Sequence, residues 1–397
     1  MYALIVIISI IFFISCLLFL DYQLGKRNHI KNLRFLDFEP TTGDYNLYTN
    51  GDQLFTDLFD DLRHAKKQIN VMFFIVKDDD ISHELLELLK KKAQEGLRVR
   101  LMVDRIGSFR INKATVKQLE QAGIEFTFSS TPKFPFLYYR IQRRNHRKIT
   151  IIDDEIGYVG GFNMGQEYLG RDAELGNWRD YHLRLIGDVV KDLQITFFDD
   201  WYLNTGESYD HIPEPTSEGS KEVEITSTDG GQLEDVFMTL IQQAQDEIFI
   251  GTPYFIPSER LMKALLSAMD RGVDVKVIVP MKADHLFVKE AGLPYLSRVR
   301  KAGGEVYFFD LGFYHAKVII IDQELCDIGT ANFDRRSLFL NKEVNTLIFN
   351  KRFVMDLRLA YLRDVQDSQP FDDHYTQLFN LGTKIRIGLA YLVRPLL

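Results

Sequence analysis

His146 is followed two residues later by Lys148 and seven residues later by Asp153, in the stretch NHRKITIIDD. The same order returns 169 residues further on as YHAKVIIIDQ, with His315, Lys317 and Asp322. That step also carries Gly160 onto Gly329 and Asn163 onto Asn332, so the chain holds H-x-K-x4-D-x6-G-x2-N twice, in register. An imidazole presented beside an ammonium suits a phosphate: the lysine holds a non-bridging oxygen while the histidine attacks phosphorus or moves a proton. Two histidines permit a division of labour, one forming a phosphohistidine and the other protonating the leaving alcohol and then activating an incoming hydroxyl. The motif tails GGFN (160–163) and GTAN (329–332) add main-chain N–H groups, the amides of Asn163 and Asn332, and the Thr330 hydroxyl as phosphate-binding groups. One phosphodiester would then sit among two lysines, two asparagines and two histidines, with its developing charge stabilised without a metal. The sequence has neither a Cys/His cluster with zinc-ligand spacing nor a P-loop, so neither a metal nor another cofactor is expected.

The residues after each lysine, ITII and VIII, are β-branched and read as buried strands. Side chains alternate along a strand, which puts His146 with Lys148, and His315 with Lys317, on one face. By the same parity Asp153 and Asp322 fall on the opposite face, and geometry alone gives them a supporting role. Each histidine needs a partner to fix its tautomer. Glu343, in NKEVN, and Asp180, in NWRDYH, are the nearest downstream carboxylates. The basic run Arg140, Arg143, Arg144, Arg147 and Lys148 reads either as a solvated face or as a lipid-headgroup contact. His64, His83, His211 and His374 lack the motif and read as structural.

The elements that must carry these residues follow one script twice. Helical periodicity near 52–66, a strand over 69–76, an amphipathic helix over 82–96 and a strand over 98–104 precede the first motif. A helix near 232–245, a strand over 247–256, a helix over 261–272 and a strand over 274–280 precede the second. Strands alternating with helices indicate a mixed α/β sheet in each half. The stretch 204–222, rich in Gly, Ser, Pro and acidic residues, reads as a surface linker. The organisation expected is an anchor over 1–22, a first domain over 40–205, a linker over 206–222 and a second domain over 223–397, the two domains related by a pseudo-twofold axis. Duplication of a scaffold alone explains repeated apolar residues but not repeated histidine and lysine. YFIP (254–257) and FPFLYY (134–139) fit either ordinary core or the lining of an acyl-chain groove.

The 397 residues leave room for two domains with cores of their own. The formal net charge of −8 gives no global basic field and argues against nucleic acid as partner. The two cysteines, Cys16 and Cys326, give no disulfide framework. The leader MYALIVIISIIFFISCLLFL has no charged side chain before Asp21, and as a helix it spans roughly 30 Å, the thickness of a hydrocarbon core. A cleaved signal peptide is the rival reading, but no basic stretch opens the leader and no small-residue cleavage site closes it. Lys26, Arg27, Lys31 and Arg34 all follow the apolar run, which places the remaining chain in the cytoplasm and offers charges to anionic headgroups. The ending KIRIGLAYLVRPLL (384–397) fits an interfacial contact or a helix packed on the second domain equally well.

The doubled motif resembles that of the phospholipase D superfamily. TPYFIP (252–257), GTANFDRRSLFLNKEVN (329–345), GGFNMGQEYLG (160–170), WRDYHLRLIGDVVKDLQITFFDDW (178–201) and RPLL (394–397) are similar to signatures of bacterial cardiolipin synthases within it. The resemblance covers nearly everything after about residue 40. It implies two phospholipase D-like domains and a reaction in which two phosphatidylglycerol molecules give cardiolipin and glycerol through a phosphatidyl-histidine. It assigns His146, Lys148, Asp153, His315, Lys317 and Asp322 to the active site and leans toward His146 as nucleophile. Many bacterial members carry two N-terminal membrane helices, whereas this chain has one apolar run. A phospholipase D-type hydrolase is the alternative, a nucleic-acid phosphodiesterase fits the acidic chain less well, and a non-catalytic scaffold is disfavoured by two intact motifs. Oligomeric state is not encoded in any of these features.

Overall fold

In the computed structural model the residues described are 2–34, 36–209, 212–285, 287–373, 375 and 381–393. His211, His374 and the RPLL ending lie outside them.

One fifteen-stranded mixed sheet runs through the molecule, where a separate sheet in each half was expected. Its order from one edge is Ser368–Pro370, Glu305–Phe309, Asp274–Pro280, Glu247–Gly251, Val318–Ile321, Leu325–Gly329, Lys342–Ile348 and Lys221–Asp229. It continues through Thr41–Tyr48, His182–Ile186, Ile156–Gly160, Ile149–Ile152, Gln68–Phe73, Arg98–Asp104 and Glu125–Ser129. Read outward from the middle, each half repeats the same succession of strands, apart from the extra edge strand Ser368–Pro370. This is the pseudo-twofold relation that the repeated motif implies. The join is an antiparallel pairing of Thr41, Thr42 and Gly43 with Val223, Glu222 and Lys221.

The helices form because apolar residues recur at helical spacing behind a capping side chain. Asn50 accepts from Gln53 N and starts Gly51–His64, whose Leu54, Phe55, Leu58, Phe59 and Leu62 are buried. Asp79 caps Asp80–Gln94, and Ser258 caps Glu259–Asp270 in the second half. These helices cover one face of the sheet over two separate cores, one in each half. On the other face Val189–Thr205 and Lys351–Gln366 lie over a third core that contains Ile149, Leu183, Val223, Ile320 and Val344, so it crosses the join. Both motif strands, Ile149–Ile152 and Val318–Ile321, are fully buried within the sheet. Their ends are thereby fixed by packing from both sides.

The apolar leader is the start of a longer helix, Tyr2–Lys31, which continues nine residues past the expected anchor boundary at 22. Its apolar part is wholly exposed, with a mean hydropathy of 3.2 over eighteen residues, as a membrane-spanning helix requires. Its last turns dock on the short helix Leu137–Gln142. Asp21 accepts from Tyr139 N at 3.0 Å, and His29 Nδ1 lies 2.6 Å from the Tyr139 hydroxyl. Gly25 is buried there, and any Cβ would collide with the Tyr139 side chain. His29 also stands 3.5 Å from Asp229, and Lys26 lies over the Phe339 ring, so the helix touches both halves of the chain. Arg34 pairs with Asp199 at 3.0 Å. Two of the four cations expected at headgroups are thus engaged with protein. Near the other terminus, Leu381–Val393 packs on the second half through buried Ala390 and partly buried Ile387, leaving Leu381, Ile385 and Leu389 exposed.

Gly25→Leu is expected to detach the helix from the body without unfolding it. Limited proteolysis of detergent-solubilised protein then accelerates between residues 31 and 40 while the melting temperature of the body holds. Unchanged cleavage counts against a docked helix.

Candidate active site

His146 and His315 line one cleft of about 1110 Å3 at the seam between the halves. Each imidazole is held by a carboxylate from the opposite half. His146 Nδ1 donates to Glu343 Oε2 at 2.8 Å, and His315 Nδ1 donates to Asp180 Oδ2 at 2.5 Å. A carboxylate only accepts, so Nδ1 carries the proton in both, and Nε2 is left with its lone pair. The main chain repeats the exchange. His146 N donates to Lys342 O at 2.9 Å and His315 N to Arg179 O at 2.7 Å, in each case the residue before the orienting carboxylate. Both expected partners are therefore present, but the pairing is crossed rather than taken from the nearest downstream acid. The reason is topological. In the sheet, Gly160 faces His182 and Gly329 faces Asn345, which makes Asp180 and Glu343 equivalent positions of the two halves. Each stands beside the seam and reaches across it.

The two carboxylates are supported differently. Glu343 also accepts from Thr330 Oγ1 at 2.6 Å, Ser337 Oγ at 2.9 Å and Asn341 Nδ2 at 3.3 Å. Burial pushes its carboxyl up, but His146, Lys148 and the Thr330 hydrogen bond outweigh this and hold it below the usual range. Asp180 accepts from Tyr181 N at 2.8 Å and faces Lys317 at 3.8 Å. Gly161 occupies the position equivalent to Thr330, and a Cβ there would overlap the Asp180 carboxylate. One copy thus uses the position for a hydroxyl and the other for space. Thr330, expected to bind phosphate, spends its hydroxyl on Glu343 and accepts from Val344 N at 2.9 Å, so it positions the carboxylate instead.

Lys148 and Lys317 are buried beside the histidines. Lys148 Nζ donates to His146 O at 2.7 Å and lies 5.5 Å from the centre of the Phe74 ring. Lys317 Nζ stands 2.7 Å from His315 Nδ1 and also bonds to the His315 carbonyl. Burial lowers Lys148 well below its ordinary value and brings Lys317 down to about 8, against the pull of Asp180 and Glu343. An anion entering between them favours their charged forms. The aromatic rings of Phe74 and Trp178 pack on His146 and His315 at 4.9 and 4.8 Å between centroids.

Asp153 and Asp322 are not in this cleft, which corrects their placement among the active-site groups. Each begins the turn after its motif strand, roughly 16 Å of extended chain beyond the lysine. Both have left-handed φ, 55° and 51°, a conformation that aspartate tolerates better than most residues. Their carboxylates collect main-chain amides: Lys66, Lys67 and Gln68 N on Asp153, and Gln245, Asp246 and Glu247 N on Asp322. They pin the neighbouring parallel strands to the motif hairpins.

The two asparagines diverge. Asn163 Oδ1 accepts from Ile75 N at 3.2 Å, so its amide nitrogen is the free face, bonded only to the Tyr168 hydroxyl at 3.3 Å. Asn332 is reversed: Nδ2 donates to Asp334 at 3.2 Å, and Oδ1 has no partner among the described residues. The two motif asparagines thus differ in which amide atom the protein already engages, and both line the cleft.

The basic run is neither a solvated face nor a headgroup patch over most of its length. Arg144 is buried and paired with Asp104 at 3.1 Å. Arg147 is buried too, bonding Asp200 at 2.8 Å, Ser227 Oγ at 2.7 Å and the carbonyls of Thr228 and Glu343. Lys342 meets the same Asp200 at 2.5 Å. This ionic cluster ties the halves together beneath the histidines, and a linear reading of the arginines misses it. In YFIP, Phe255 and Ile256 are core while Tyr254 lines the cleft; in FPFLYY, Phe134 is exposed and Tyr139 carries the leader helix. Among the described residues no group of three or more His, Cys, Asp or Glu side chains is placed to hold a metal ion.

A family described as cardiolipin synthase, PLD-like domain, matches residues 58–201 and 237–364, which together carry both histidine motifs. The chain belongs to this family. It is 42% identical over 366 residues to the minor cardiolipin synthase of Bacillus subtilis, covering 92% of each chain. With cardiolipin synthase 2 of Staphylococcus epidermidis it shares 38% over 371 residues, 91% of this chain and 76% of that one. The fold is that of the phosphatidylserine synthase of Haemophilus influenzae, with a TM-score of 0.72 over 94% of this chain and 100% of that chain at 17% identity.

Two outcomes follow. Asp153→Ala and Asp322→Ala each lose about 2 kcal/mol in denaturant unfolding, the worth of a carboxylate that gathers several amides; an unchanged midpoint contradicts their turn-pinning role. Burial above all, with the nearby lysines, holds both His146 and His315 at about 4, from an ordinary 6.5. Above pH 6.5 folded and unfolded chains both hold neutral imidazoles. As pH falls toward 4 the unfolded chain takes up protons that the folded chain refuses, so stability drops across that window. A His146→Asn, His315→Asn double variant shows a shallower drop over the same pH range.

Proposed function

We propose that the chain transfers a phosphatidyl group from one phosphatidylglycerol to the glycerol hydroxyl of another, giving cardiolipin and glycerol. The observation that carries this reading is the pair of carboxylate-oriented imidazoles facing one cleft, together with the cardiolipin synthase relatives. In the first step the Nε2 lone pair of one histidine attacks phosphorus, and the bond from phosphorus to the glyceryl oxygen breaks. The other histidine, which takes up a proton on Nε2 as the anionic phosphodiester binds beside it, gives that proton to the departing alkoxide. In the second step that histidine accepts the proton of the incoming hydroxyl, whose oxygen displaces the first histidine. Nδ1–H donation to Glu343 or Asp180 stabilises each imidazole as it becomes cationic. Lys148, Lys317 and the amide nitrogen of Asn163 hold the non-bridging oxygens.

The Tyr2–Lys31 helix supports attachment to the membrane in which such lipids reside. Lys26, Arg27, Lys31 and Arg34 all follow its apolar part, which supports a single-pass arrangement with the catalytic halves in the cytoplasm against an anionic surface. Hydrolysis is the same chemistry with water as acceptor. Purified protein in phosphatidylglycerol liposomes is expected to give cardiolipin and glycerol by lipid mass spectrometry, with His146→Ala and His315→Ala each lowering the rate at least about a thousandfold. Phosphatidic acid in place of cardiolipin identifies a hydrolase, and full turnover by either variant sinks the two-histidine mechanism.

A further inference from the structure

A second cavity, of about 430 Å3, lies where the leader helix meets the body, and it shares no lining residue with the histidine cleft. Gly25, Asn28, His29 and Asn32, spaced along one face of the leader helix, form part of its wall. Asn145 and Lys342 form another part; they pair with each other and immediately precede His146 and Glu343. Adjacent residues of an extended chain point to opposite sides, so the seam has the reacting histidines on one side and this cavity on the other.

The wall is cationic. Among the described residues it holds Arg34, Lys133, Arg140, Arg143 and Lys342 against one carboxylate, Asp229. Three groups already converge on that carboxylate: the Arg143 guanidinium is in contact with it, His29 Nε2 stands 3.5 Å away and Lys342 Nζ 3.8 Å away. Arg34 and Lys342 have further partners in Asp199 and Asp200. The side chains of Lys133 and Arg140 have no ion-pair or hydrogen-bond partner among the described residues. Two donors on the wall, Ser129 Oγ and Arg143 Nε, are buried without an acceptor, and Ser129 is only 1% exposed. Unmatched positive charge and unmatched donors call for one kind of ligand, an anion made of acceptor atoms. A phosphate is such a group.

The depth of the cavity selects the source of that phosphate. Gly25 directly follows exposed Leu24, where the apolar part of the leader gives way to Lys26 and Arg27. The cavity thus begins at the boundary of the hydrocarbon layer, and headgroups occupy roughly 5–7 Å beyond that boundary. Phe134, next to Lys133, is 81% exposed, and Leu203 on the wall is 47% exposed, which suits the glycerol backbone and acyl chains of a lipid. We infer that this cavity binds the phosphate of an anionic phospholipid that is not consumed, a resident lipid wedged between the leader helix and the body. The inference rests on the membrane attachment read from the leader and is independent of the transferase chemistry.

The test uses the full-length protein in micelles of an uncharged detergent, with phosphatidate, phosphatidylcholine and inorganic phosphate as probes. Phosphatidate has no alcohol to lose, so it binds without turnover. Native mass spectrometry reads the lipid retained, and hydrogen exchange reads where it sits. The protein is expected to retain phosphatidate over phosphatidylcholine by at least about tenfold, with slowed amide exchange over 28–34 and 128–133. A Lys133→Gln, Arg140→Gln double variant leaves the histidines and their carboxylates in place. It is expected to bind phosphatidate about twentyfold more weakly, roughly fivefold for each cation removed beside an anionic lipid. Equal retention of the two lipids, an affinity unmoved in the double variant, or protection confined to the histidine cleft overturns the site. Displacement of phosphatidate by an equal concentration of inorganic phosphate overturns the lipid as occupant and assigns the cavity to a soluble phosphate. Cardiolipin formation by the same samples reports on the transferase reading separately, whichever way the binding falls.

Discussion

Glu343 and Asp180 are carboxylates buried almost completely, each against an imidazole that the other half of the chain supplies. Removing one member of such a pair leaves an unpaired buried charge, at a typical cost of about 3–5 kcal/mol. Much of the surrounding structure meets that constraint. Thr330, Ser337 and Asn341 complete the bonding of Glu343, Gly161 yields room to Asp180, and Arg147 and Lys342 close over Asp200 below. The seam between the halves is thus polar and directional around the two histidines, and apolar in the shared core beneath Val189–Thr205 and Lys351–Gln366. Apolar packing sets the overall approach of the halves; the crossed pairs set their register.

Features governed by local periodicity were legible in the sequence. The strands 98–104 and 274–280 coincide with Arg98–Asp104 and Asp274–Pro280, and the helices expected around them fall within two or three residues of their observed ends. Strand parity also placed Asp153 and Asp322 away from the histidines. Long-range pairing was not legible in the same way. The fusion of two sheets into one depends on a short antiparallel contact between Thr41–Gly43 and Lys221–Val223, which no motif announces. Arg147 and Lys148 are adjacent in a basic run, and only the fold shows that both are buried. The exchange of carboxylates did leave a trace: Arg179–Asp180 and Lys342–Glu343 are the same basic–acidic pair at equivalent strand positions. Their spacing, 163 residues rather than 169, hid the correspondence because the loop after GGFN is longer than the one after GTAN.

The leader helix and the cleft share one structural neighbour. Tyr139 of Leu137–Gln142 holds the leader, and Ile141, two residues on, lines the cleft together with Ile106 and Phe109, all exposed at its rim. The element fixed relative to the bilayer is therefore part of the cleft wall. A substrate with two acyl chains needs only its headgroup and phosphate beside the histidines that line this cleft.

The position occupied by Gly161 in one half and Thr330 in the other has a consequence for how such a site can change over time. In a symmetric pair of identical chains, every substitution falls on both copies at once, and the two histidines must remain equal. Joining the copies in one polypeptide lifts that restriction. Here one copy has a glycine at the position and the other a hydroxyl, and Asn163 and Asn332 have opposite amide atoms engaged by the protein. Two copies in one chain are free to differ position by position, and the crossed pairs still tie each histidine to a carboxylate of the other half.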